Sequence, residues 1–572
     1  MQLSYSDKSY LHYCRINQSV MKIKIFFWSI LFVVAFSFCG NSQVVIRDTV
    51  IQWQHHSFEL NADHGLKSYS TNDEDIQQVQ FNGKVIENEL IRLVLVPEYG
   101  GRVLSFVYKP TGHENLYQSA CGSPYGINEG NFYYNWLMVW GGIFPTFPEP
   151  EHGKTWLLSW DYNVLKNTPD TVSISMDYTD TSRFSGAPGK FNNGITGLTC
   201  QVKVSVYKGS SAWDFEVKLL NNKDQSVNYE YWTCTTLTPG SEPGETASPL
   251  SSEMVVPVEQ YRADWSPDSW IGSYGSLYDF SRINQLHEWN DMGIAYAHNL
   301  NSNFWGVINH ENNEGVFRIA ENIETPGMKF WTWGKNNVDN NMFDFSNGGA
   351  DNYIELWAGV SGSFFSDAAI LANASKSWKE TYSPTVGMNS VLAMNSLGAV
   401  NIIWKQESWQ LGYELNVYQP FNEYRMVLFF DDETKLELAN KTLSNNLLGN
   451  TELFTVATNA IEPGQHLARF KMYNSQNDLV LEASKEINIY PLTLAEKQNL
   501  NYKVKNQGDK TIELELFDGM AYEVRVYNAT GRLVAQKVTT DSRLQIQLPQ
   551  NGMYIIQLIT NGEQRTSKIL VF

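Results

Sequence analysis

Short segments in which apolar and polar residues alternate recur throughout this chain of 572 residues. Typical examples are IRLVLV (91–96), TVSISMDY (171–178) and WDFEVKLL (213–220), and Gly, Asn, Asp and Pro separate such segments. Alternation with a period of two places one face of a strand against a core. From residue 44 to about 390 no helical period is sustained, and many short strands are typical of a large antiparallel sandwich. The sequence therefore predicts an all-β fold.

The chain is too long for one compact domain. Tryptophans become rare after the segment SKSWKETYSPTVGM (375–388), while strand-like segments continue. We predict a large β domain over 44–390, an immunoglobulin-like β module over 391–495, and a small β domain over 500–572.

Residues 1–43 are predicted to be an N-terminal extension with a signal peptide. From Met21, the segment MKIKIFFWSILFVVAFSFCGNSQ has a basic start, an apolar run of signal-peptide length and small polar residues after it. The run is too short, and wrongly flanked, for a membrane-spanning helix. We therefore predict export and no integral membrane span.

Charge and cysteine content narrow the possible partners. The formal net charge of −19 argues against general binding of nucleic acid or anionic membranes. The five cysteines show neither metal-ligand spacing nor a disulfide pattern. The acid pairs Glu149/Glu151 and Asp351/Glu355 would suit a metal, but nothing in their spacing requires one. We therefore predict no cofactor and no metal.

A tryptophan-rich stretch over 329–359 contains one acid, Glu355, inside the apolar run YIELWAG (353–359). An acid in a buried strand usually has a partner or a function. Tryptophan faces stack on the flat apolar faces of a pyranose, while an acid handles its hydroxyl groups and protons. This pattern predicts a sugar site. The alternative, a carboxylate held by a neighbouring Arg or by backbone amides, stays open.

The end of the chain carries a specific motif set. The segments VRVYNATGRLV, LPQNGMYIIQL and the terminal KILVF closely resemble the C-terminal sorting domain of the type IX secretion system. The resemblance implies that type IX secretion machinery is a partner, that the protein is secreted or held at the cell surface, and that the tail is removed. We expect no catalysis in 500–572.

A second resemblance covers about 300 residues, from 87 to 384. ENELIRLVLVPEYGGRVLSFVYKPTGHENLY (87–117) resembles the opening of the aldose-epimerase, or galactose mutarotase-like, superfamily, and in particular its DUF5107-like branch. GGIFPTFPEPEHGKTWLLSWDY (141–162), YEYWTCTTLTPG (229–240), PGMKFWTWG (326–334), YIELWAG and SKSWKETYSP (375–384) follow in the order of the family. The resemblance implies a β-supersandwich.

The same resemblance implies roles for individual residues. Glu355 matches the general base of the mutarotase-like enzymes, and His152 in EHGKTW matches a histidine that binds or protonates the sugar. Tyr229 stands where those enzymes have a second histidine, which makes plain aldose 1-epimerase activity doubtful. The predicted substrate-binding residues are Arg102, Glu149, Lys154, Trp232, Lys329, Trp331, Trp333 and Trp357.

These residues favour proton abstraction next to a carboxylate, followed by loss of the β substituent. Such a reaction needs a base, an acid for the leaving oxygen, and cations that stabilise the enolate-like carboxylate. We predict a secreted dehydratase or lyase of uronate-containing oligosaccharides or polysaccharides. The alternatives are an epimerase acting on an oligosaccharide end, a glycoside hydrolase in which Glu149 or Glu151 partners Glu355, and a glycan-binding protein without catalysis.

Overall fold

In a computed structural model, the structure describes residues 43–60, 62, 66–70, 72–124, 136–138, 141–148, 153, 155–181, 195–244, 246–340, 350–419, 423–432, 436–443, 448–457, 461–490, 502–516, 522–529, 531–560 and 563–571. The predicted signal peptide lies outside these residues. Within them, no helix has the length and apolar character needed to cross a membrane.

Twenty-six strands build the first part of the described chain, as the alternating segments predict. Their bounds are β1 (Val45–His56), β2 (Phe58–Leu60), β3 (Leu66–Tyr69), β4 (Ile76–Glu87), β5 (Ile91–Val96), β6 (Arg102–Tyr108), β7 (His113–Leu116), β8 (Cys121–Pro124), β9 (Trp136–Met138), β10 (Ile143–Thr146), β11 (Asp161–Thr168), β12 (Thr171–Thr179), β13 (Thr199–Tyr207), β14 (Trp213–Leu220), β15 (Val227–Tyr229), β16 (Trp232–Ser241), β17 (Glu253–Val255), β18 (Gln260–Ala263), β19 (Leu277–Asp279), β20 (Ala295–His298), β21 (Phe304–Asn309), β22 (Glu314–Ile319), β23 (Gly327–Trp331), β24 (Ile354–Gly359), β25 (Ala368–Ile370) and β26 (Ser375–Val386).

Helical structure among the described residues is short. One α-helix, α1, covers Lys335–Asp339, and single 3₁₀ turns cover Asp73–Asp75, Pro267–Ser269, Phe280–Arg282, Leu286–Glu288 and Gln406–Ser408.

Two large sheets dominate this part. The first has fourteen strands in the order β19-β18-β20-β23-β24-β16-β10-β6-β5-β4-β1-β8-β9, with β7 beside β16 and β6. The second has eight strands in the order β11-β12-β13-β14-β26-β22-β21-β17. Apolar residues of both sheets share one core, which includes Ile354 and Leu356 of the first sheet and Val217 and Leu219 of the second. This packing is a large β-sandwich.

Strand β24 shows which face of the first sheet carries the predicted site. Ile354 and Leu356 point into the core between the sheets. Side chains alternate along a strand, so Glu355 and Trp357 lie on the opposite face. There Trp357 packs in a separate aromatic cluster with Trp232. We call this side of the fourteen-stranded sheet the outer face.

Eight further strands form a smaller sandwich. They are β27 (Ala393–Asn395), β28 (Gly398–Lys405), β29 (Gln410–Val417), β30 (Tyr424–Phe430), β31 (Glu437–Leu443), β32 (Asn450–Thr455), β33 (Gly464–Tyr473) and β34 (Leu479–Ile489). They pair as two four-stranded sheets, β27-β28-β29-β32 and β31-β30-β33-β34, around a core of their own.

The last seven strands build a third sandwich. They are β35 (Tyr502–Gly508), β36 (Thr511–Leu516), β37 (Tyr522–Asn528), β38 (Leu533–Thr539), β39 (Arg543–Gln547), β40 (Gly552–Thr560) and β41 (Glu563–Val571). A three-stranded sheet, β35-β36-β39, and a four-stranded sheet, β38-β37-β40-β41, share a small apolar core. The predicted fold class of three successive β-sandwiches is confirmed, while the residue limits of the domains stay predictions.

Candidate functional site

Strand register brings a row of polar and aromatic side chains together on the outer face. Residues paired across neighbouring antiparallel strands have adjacent side chains. Starting at β18, the row runs through Arg262, Tyr296, Lys329, Trp357, Cys234 and Phe144. Glu355 lies two residues before Trp357 on β24, on the same face of the sheet, and is paired with Trp331 of β23. The predicted residues Lys329, Trp331, Glu355 and Trp357 are therefore neighbours.

Glu355 is held by residues two positions before and after it in the sequence. Its Oε2 accepts a hydrogen bond of 2.7 Å from Trp357 Nε1, and its Oε1 accepts one of 3.1 Å from the Tyr353 hydroxyl. The residue is 7% exposed. The strand alternation that places Tyr353 and Trp357 on the same face thus fixes the carboxylate between two aromatic donors.

Lys329 supplies a positive charge beside Glu355. Its Nζ lies 4.0 Å from Glu355 Oε2, which is the limit of an ion pair rather than a close contact. The ammonium group also lies 3.9 Å from the centroid of the Trp357 ring and 4.7 Å from that of Phe364. Cation–π contacts of this kind position a buried ammonium group, so Lys329 is fixed beside the carboxylate.

Burial raises the pKa of Glu355 above its ordinary value, and this effect outweighs the opposing attraction of Lys329 and the hydrogen bonds from Trp357 and Tyr353. A desolvated carboxylate is a stronger base than one in water. Glu355 therefore has the chemical character of a proton acceptor.

A second acid, Asp264, lies beside the same row and was not predicted from the sequence. It directly follows β18, and its carboxyl group is hydrogen-bonded to Tyr296 and interacts electrostatically with Arg262 and Lys329. Burial raises the pKa of Asp264, and Arg262 and the Tyr296 hydrogen bond oppose the shift. A possible signal was present in ADWSPDSW (263–270), where an acid stands between an apolar residue and a tryptophan at the end of a strand.

Asp351 and a stacked tyrosine pair border Glu355 on another side. The Tyr117 hydroxyl donates to Asp351 Oδ2 at 2.6 Å. The Tyr117 and Tyr353 rings stack with centroids 4.0 Å apart and an interplanar angle of 6°. Burial raises the pKa of Asp351. The stack holds Tyr353, and through it the hydrogen bond to Glu355.

The predicted tryptophans differ in their positions. Trp331 packs edge-on against Trp333 with ring centroids 4.9 Å apart, and Trp333 is fully buried. Trp232 is also fully buried, and its indole covers Gly327 and Gly359, where an added Cβ would lie 2.7 and 2.4 Å from ring atoms. Trp232 and Trp333 therefore support the site from within, whereas Trp331 is partly exposed.

Arg102 has a structural position. Its guanidinium group is fully buried and donates to the backbone carbonyls of Tyr99, Gly141 and Trp156 at 2.7 to 3.0 Å. Burial lowers the pKa of Arg102 to about 10. Its donors already bind the backbone, so the geometry gives Arg102 a structural role, although the sequence predicted a substrate contact.

Tyr229 lies away from the outer face. Its side chain is fully buried in the core between the two sheets, near Cys200 of β13, and burial raises the pKa of its hydroxyl. Glu355, by contrast, lies on the outer face beside Trp331. The expected acid role of Tyr229 therefore has no support in this geometry.

The remaining predicted residues lie outside the described part of the chain. They are Glu149, His152 and Lys154, together with the alternative acid Glu151. Their roles stay predictions.

The fold and the outer-face acids define a large β-sandwich protein with a buried carboxylate on an aromatic sheet face. Residues 488–572 match the family model described as "Secretion system C-terminal sorting domain". This match confirms the predicted sorting domain, so the chain is exported and is secreted or held at the cell surface. Comparison with curated proteins gives no match.

Solved structures show similarity in fold. A TPR-domain containing protein from Parabacteroides distasonis matches with 16% identity and a TM-score of 0.50, over 62% of this chain and 58% of that protein. This chain therefore spans 58% of the length of that relative.

Galactose mutarotase-like proteins are also among the structural neighbours. The one from Lactobacillus casei has 12% identity and a TM-score of 0.36, over 52% of this chain and 99% of that protein. The one from Clostridium acetobutylicum has 11% identity and a TM-score of 0.38, over 60% of this chain and 99% of that protein.

Proposed function

We propose that the outer face binds a sugar and that Glu355 removes a proton from it. The observation that carries this proposal is the carboxylate of Glu355, which has a raised pKa and lies 4.0 Å from the Lys329 ammonium group on an aromatic surface. Aromatic side chains offer apolar faces to a pyranose ring, while the acid and the ammonium group offer polar contacts to its hydroxyl or carboxylate groups.

The favoured reaction is β-elimination at a uronic acid unit. Glu355 takes the proton from C5, and Lys329 stabilises the negative charge that develops on the sugar carboxylate. The bond between C4 and its oxygen then breaks, and an acid gives a proton to the leaving oxygen. If that oxygen belongs to a hydroxyl group, water leaves and the enzyme is a dehydratase. If it belongs to a glycosidic bond, a sugar leaves and the enzyme is a lyase.

Asp264 is our candidate for the acid. Because burial raises its pKa, Asp264 retains a proton to higher pH than an ordinary aspartic acid does. Tyr296 and Lys329, which belong to the outer-face row, both favour the ionised form of its carboxyl group. His152, predicted from the sequence, remains an alternative acid.

The second candidate function is epimerisation at a sugar or oligosaccharide end. The specific observation in its favour is that Glu355 and Asp264 both interact electrostatically with Lys329. Two acids around one bound sugar could move protons on and off the anomeric hydroxyl and the ring oxygen without breaking a bond at C4.

The test is to incubate the purified full chain with uronate-containing and neutral oligosaccharides and to follow ultraviolet absorbance. Elimination creates a double bond conjugated to the carboxylate, and we expect a rise with uronates alone. The matched control is Glu355→Gln, which keeps the size of the side chain and removes the base.

An absorbance rise that Glu355→Gln abolishes would support elimination, and mass spectra of the products would show whether water or a sugar left. Absence of a rise with every substrate would contradict it. In that case, NMR exchange between anomers or epimers would support the epimerase, and binding without any turnover would support a glycan-binding protein.

A further inference from the structure

We propose that the substrate is an oligosaccharide chain and that Trp265 and Phe365 bind sugar units next to the one at Glu355. This inference rests on the proposed sugar site. Both aromatic residues are 50% exposed, and each directly follows a residue that belongs to the site, Asp264 or Phe364.

Phe365 has an unusual backbone conformation. Its φ of 61° lies in the left-handed region, which bulky residues rarely adopt. Such conformations occur mainly where the surrounding structure imposes them, often at ligand sites. The loop after β24 has two successive phenylalanines of which Phe364 is buried and Phe365 is half exposed.

Phe364 fixes this loop to the outer face. Its ring centroid lies 5.0 Å from that of Trp232 and 5.5 Å from that of Trp357, and Lys329 Nζ lies 4.7 Å away. Its backbone N–H donates to the Tyr296 hydroxyl at 3.1 Å. Phe365 is therefore placed at the border of the site by its neighbour.

Trp265 is fixed in a comparable way. The N–H of Asp264 donates to the carbonyl of Ile294 at 3.0 Å, and the N–H of Ile294 donates to the carbonyl of Trp265 at 2.6 Å. These two bonds tie the backbone on either side of the Asp264–Trp265 peptide to the start of β20. These two hydrogen bonds therefore fix the backbone to which the half-exposed Trp265 indole is attached.

Tyr296 connects the two segments. Its hydroxyl accepts the hydrogen bond from Phe364 and is hydrogen-bonded to the Asp264 carboxyl group. The residues that directly precede Trp265 and Phe365 therefore meet at one side chain of the outer face. Exposed aromatic rings beside a sugar site suit stacking with the apolar faces of further pyranose units, so this border favours a chain over a single sugar.

The test compares affinities for galacturonate and mannuronate oligomers of one, three and six units, with xylose and glucose oligomers as neutral probes. Calorimetry is done with the full chain carrying Glu355→Gln, so that turnover does not interfere. We expect affinity for the favoured series to rise with chain length by about tenfold for each engaged ring.

Trp265→Ala and Phe365→Ala, added to this background, should each reduce the gain from monomer to hexamer by about tenfold. Tyr490→Ala is the matched control, because Tyr490 is an exposed aromatic residue of β-rich structure outside the first sandwich, and it should leave the gain intact. Near-ultraviolet circular dichroism and thermal unfolding check that each variant folds.

Equal affinities for monomer and hexamer in every series would overturn this inference, as would a length gain that survives both substitutions in folded protein. Length-dependent binding by a protein that catalyses no reaction would overturn the proposed chemistry, but it would support the binding of further sugar units by Trp265 and Phe365. The two proposals can therefore fail separately.

Discussion

Two buried glutamates of the large sandwich, Glu355 and Glu380, have nearly the same neighbours in sequence, but their pKa values are shifted in opposite directions. Glu355 lies between Tyr353, which directly precedes β24, and Trp357 of β24, and Trp378 and Tyr382 flank Glu380 on β26. In both cases the flanking tyrosine hydroxyl and tryptophan N–H donate to the carboxylate, at 2.7 to 3.1 Å. Local sequence therefore gives each acid the same pair of aromatic donors.

The cation makes the difference. Arg318 Nε lies 2.7 Å from Glu380 Oε2, whereas Lys329 Nζ lies 4.0 Å from Glu355 Oε2. Glu380 also accepts a hydrogen bond of 2.7 Å from Thr233. Burial alone would raise the pKa of Glu380, but Arg318 and these hydrogen bonds reverse the shift and lower it. The pKa of Glu355 stays raised.

Position completes the contrast. Glu380 is fully buried, whereas Glu355 retains some exposure on the outer face. A carboxylate whose charge is neutralised and fully hydrogen-bonded stabilises a fold but is a weak base. The same local pattern thus serves structure where an arginine completes it, and serves proton transfer, by our proposal, where it does not.

The largest expected effect is on turnover. Glu355→Gln should reduce kcat by about 10²–10⁴-fold, because a positioned general base contributes rate enhancements of this size. Steady-state kinetics on the substrate found by the absorbance test would measure it. Retention of more than a tenth of the activity in a folded variant would remove Glu355 from the mechanism.

Glu380→Gln should destabilise the sandwich by about 3–5 kcal/mol, because it leaves Arg318 as an uncompensated buried charge. The folded-state pKa of Glu380 is lowered, so the stability it contributes is present above the unfolded-state pKa and is lost as pH falls through the folded-state pKa. Urea unfolding at neutral and acid pH would check both the size and the pH dependence. A loss that does not shrink in acid would break the comparison.

Lys329→Met should reduce kcat by about 10²-fold through loss of charge stabilisation in the transition state. It should also shift the acid limb of the pH–rate profile to higher pH, because Lys329 lowers the pKa of Glu355. The full pH–rate profile separates the two effects. An unshifted acid limb would mean that Lys329 and Glu355 do not interact during catalysis.

The smallest expected effect is a change in stability, and its sign distinguishes Glu355 from Glu380. The folded-state pKa of Glu355 is raised. The protein therefore loses stability as pH rises from the unfolded-state pKa of this carboxyl group through its folded-state pKa. Glu355→Gln should therefore stabilise the protein by about 1 kcal/mol at neutral pH, with less gain in acid. Thermal unfolding would show this, and a clear loss of stability at neutral pH would indicate a structural role like that of Glu380.

The sequence predicted the strands well, because alternation reports directly on which side chains face a core. It placed Glu355 among Trp331 and Trp357, which the register of β23 and β24 confirms as neighbours. It left open whether an arginine holds that acid. The arginine partner of Glu380 comes from β22, 62 residues away in sequence, and no local pattern reveals such a pairing.

The same limit explains the other differences. Asp264 was missed because Tyr296 and Lys329, which make it part of the site, come from separate strands. Tyr229 was expected at the site from its position in a motif, but the side chain lies in the core between the sheets. Motif order along the chain does not determine the face on which a side chain lies.

The most direct test of this account is a carboxyl titration of both glutamates by NMR in protein labelled with ¹³C at the glutamate side chains. Glu355→Gln and Glu380→Gln assign the two signals. The account predicts a pKa for Glu355 above the ordinary value of 4.5 and a pKa for Glu380 below it. A Glu355 pKa at or below 4.5 would contradict the claim that this carboxylate is held as a base.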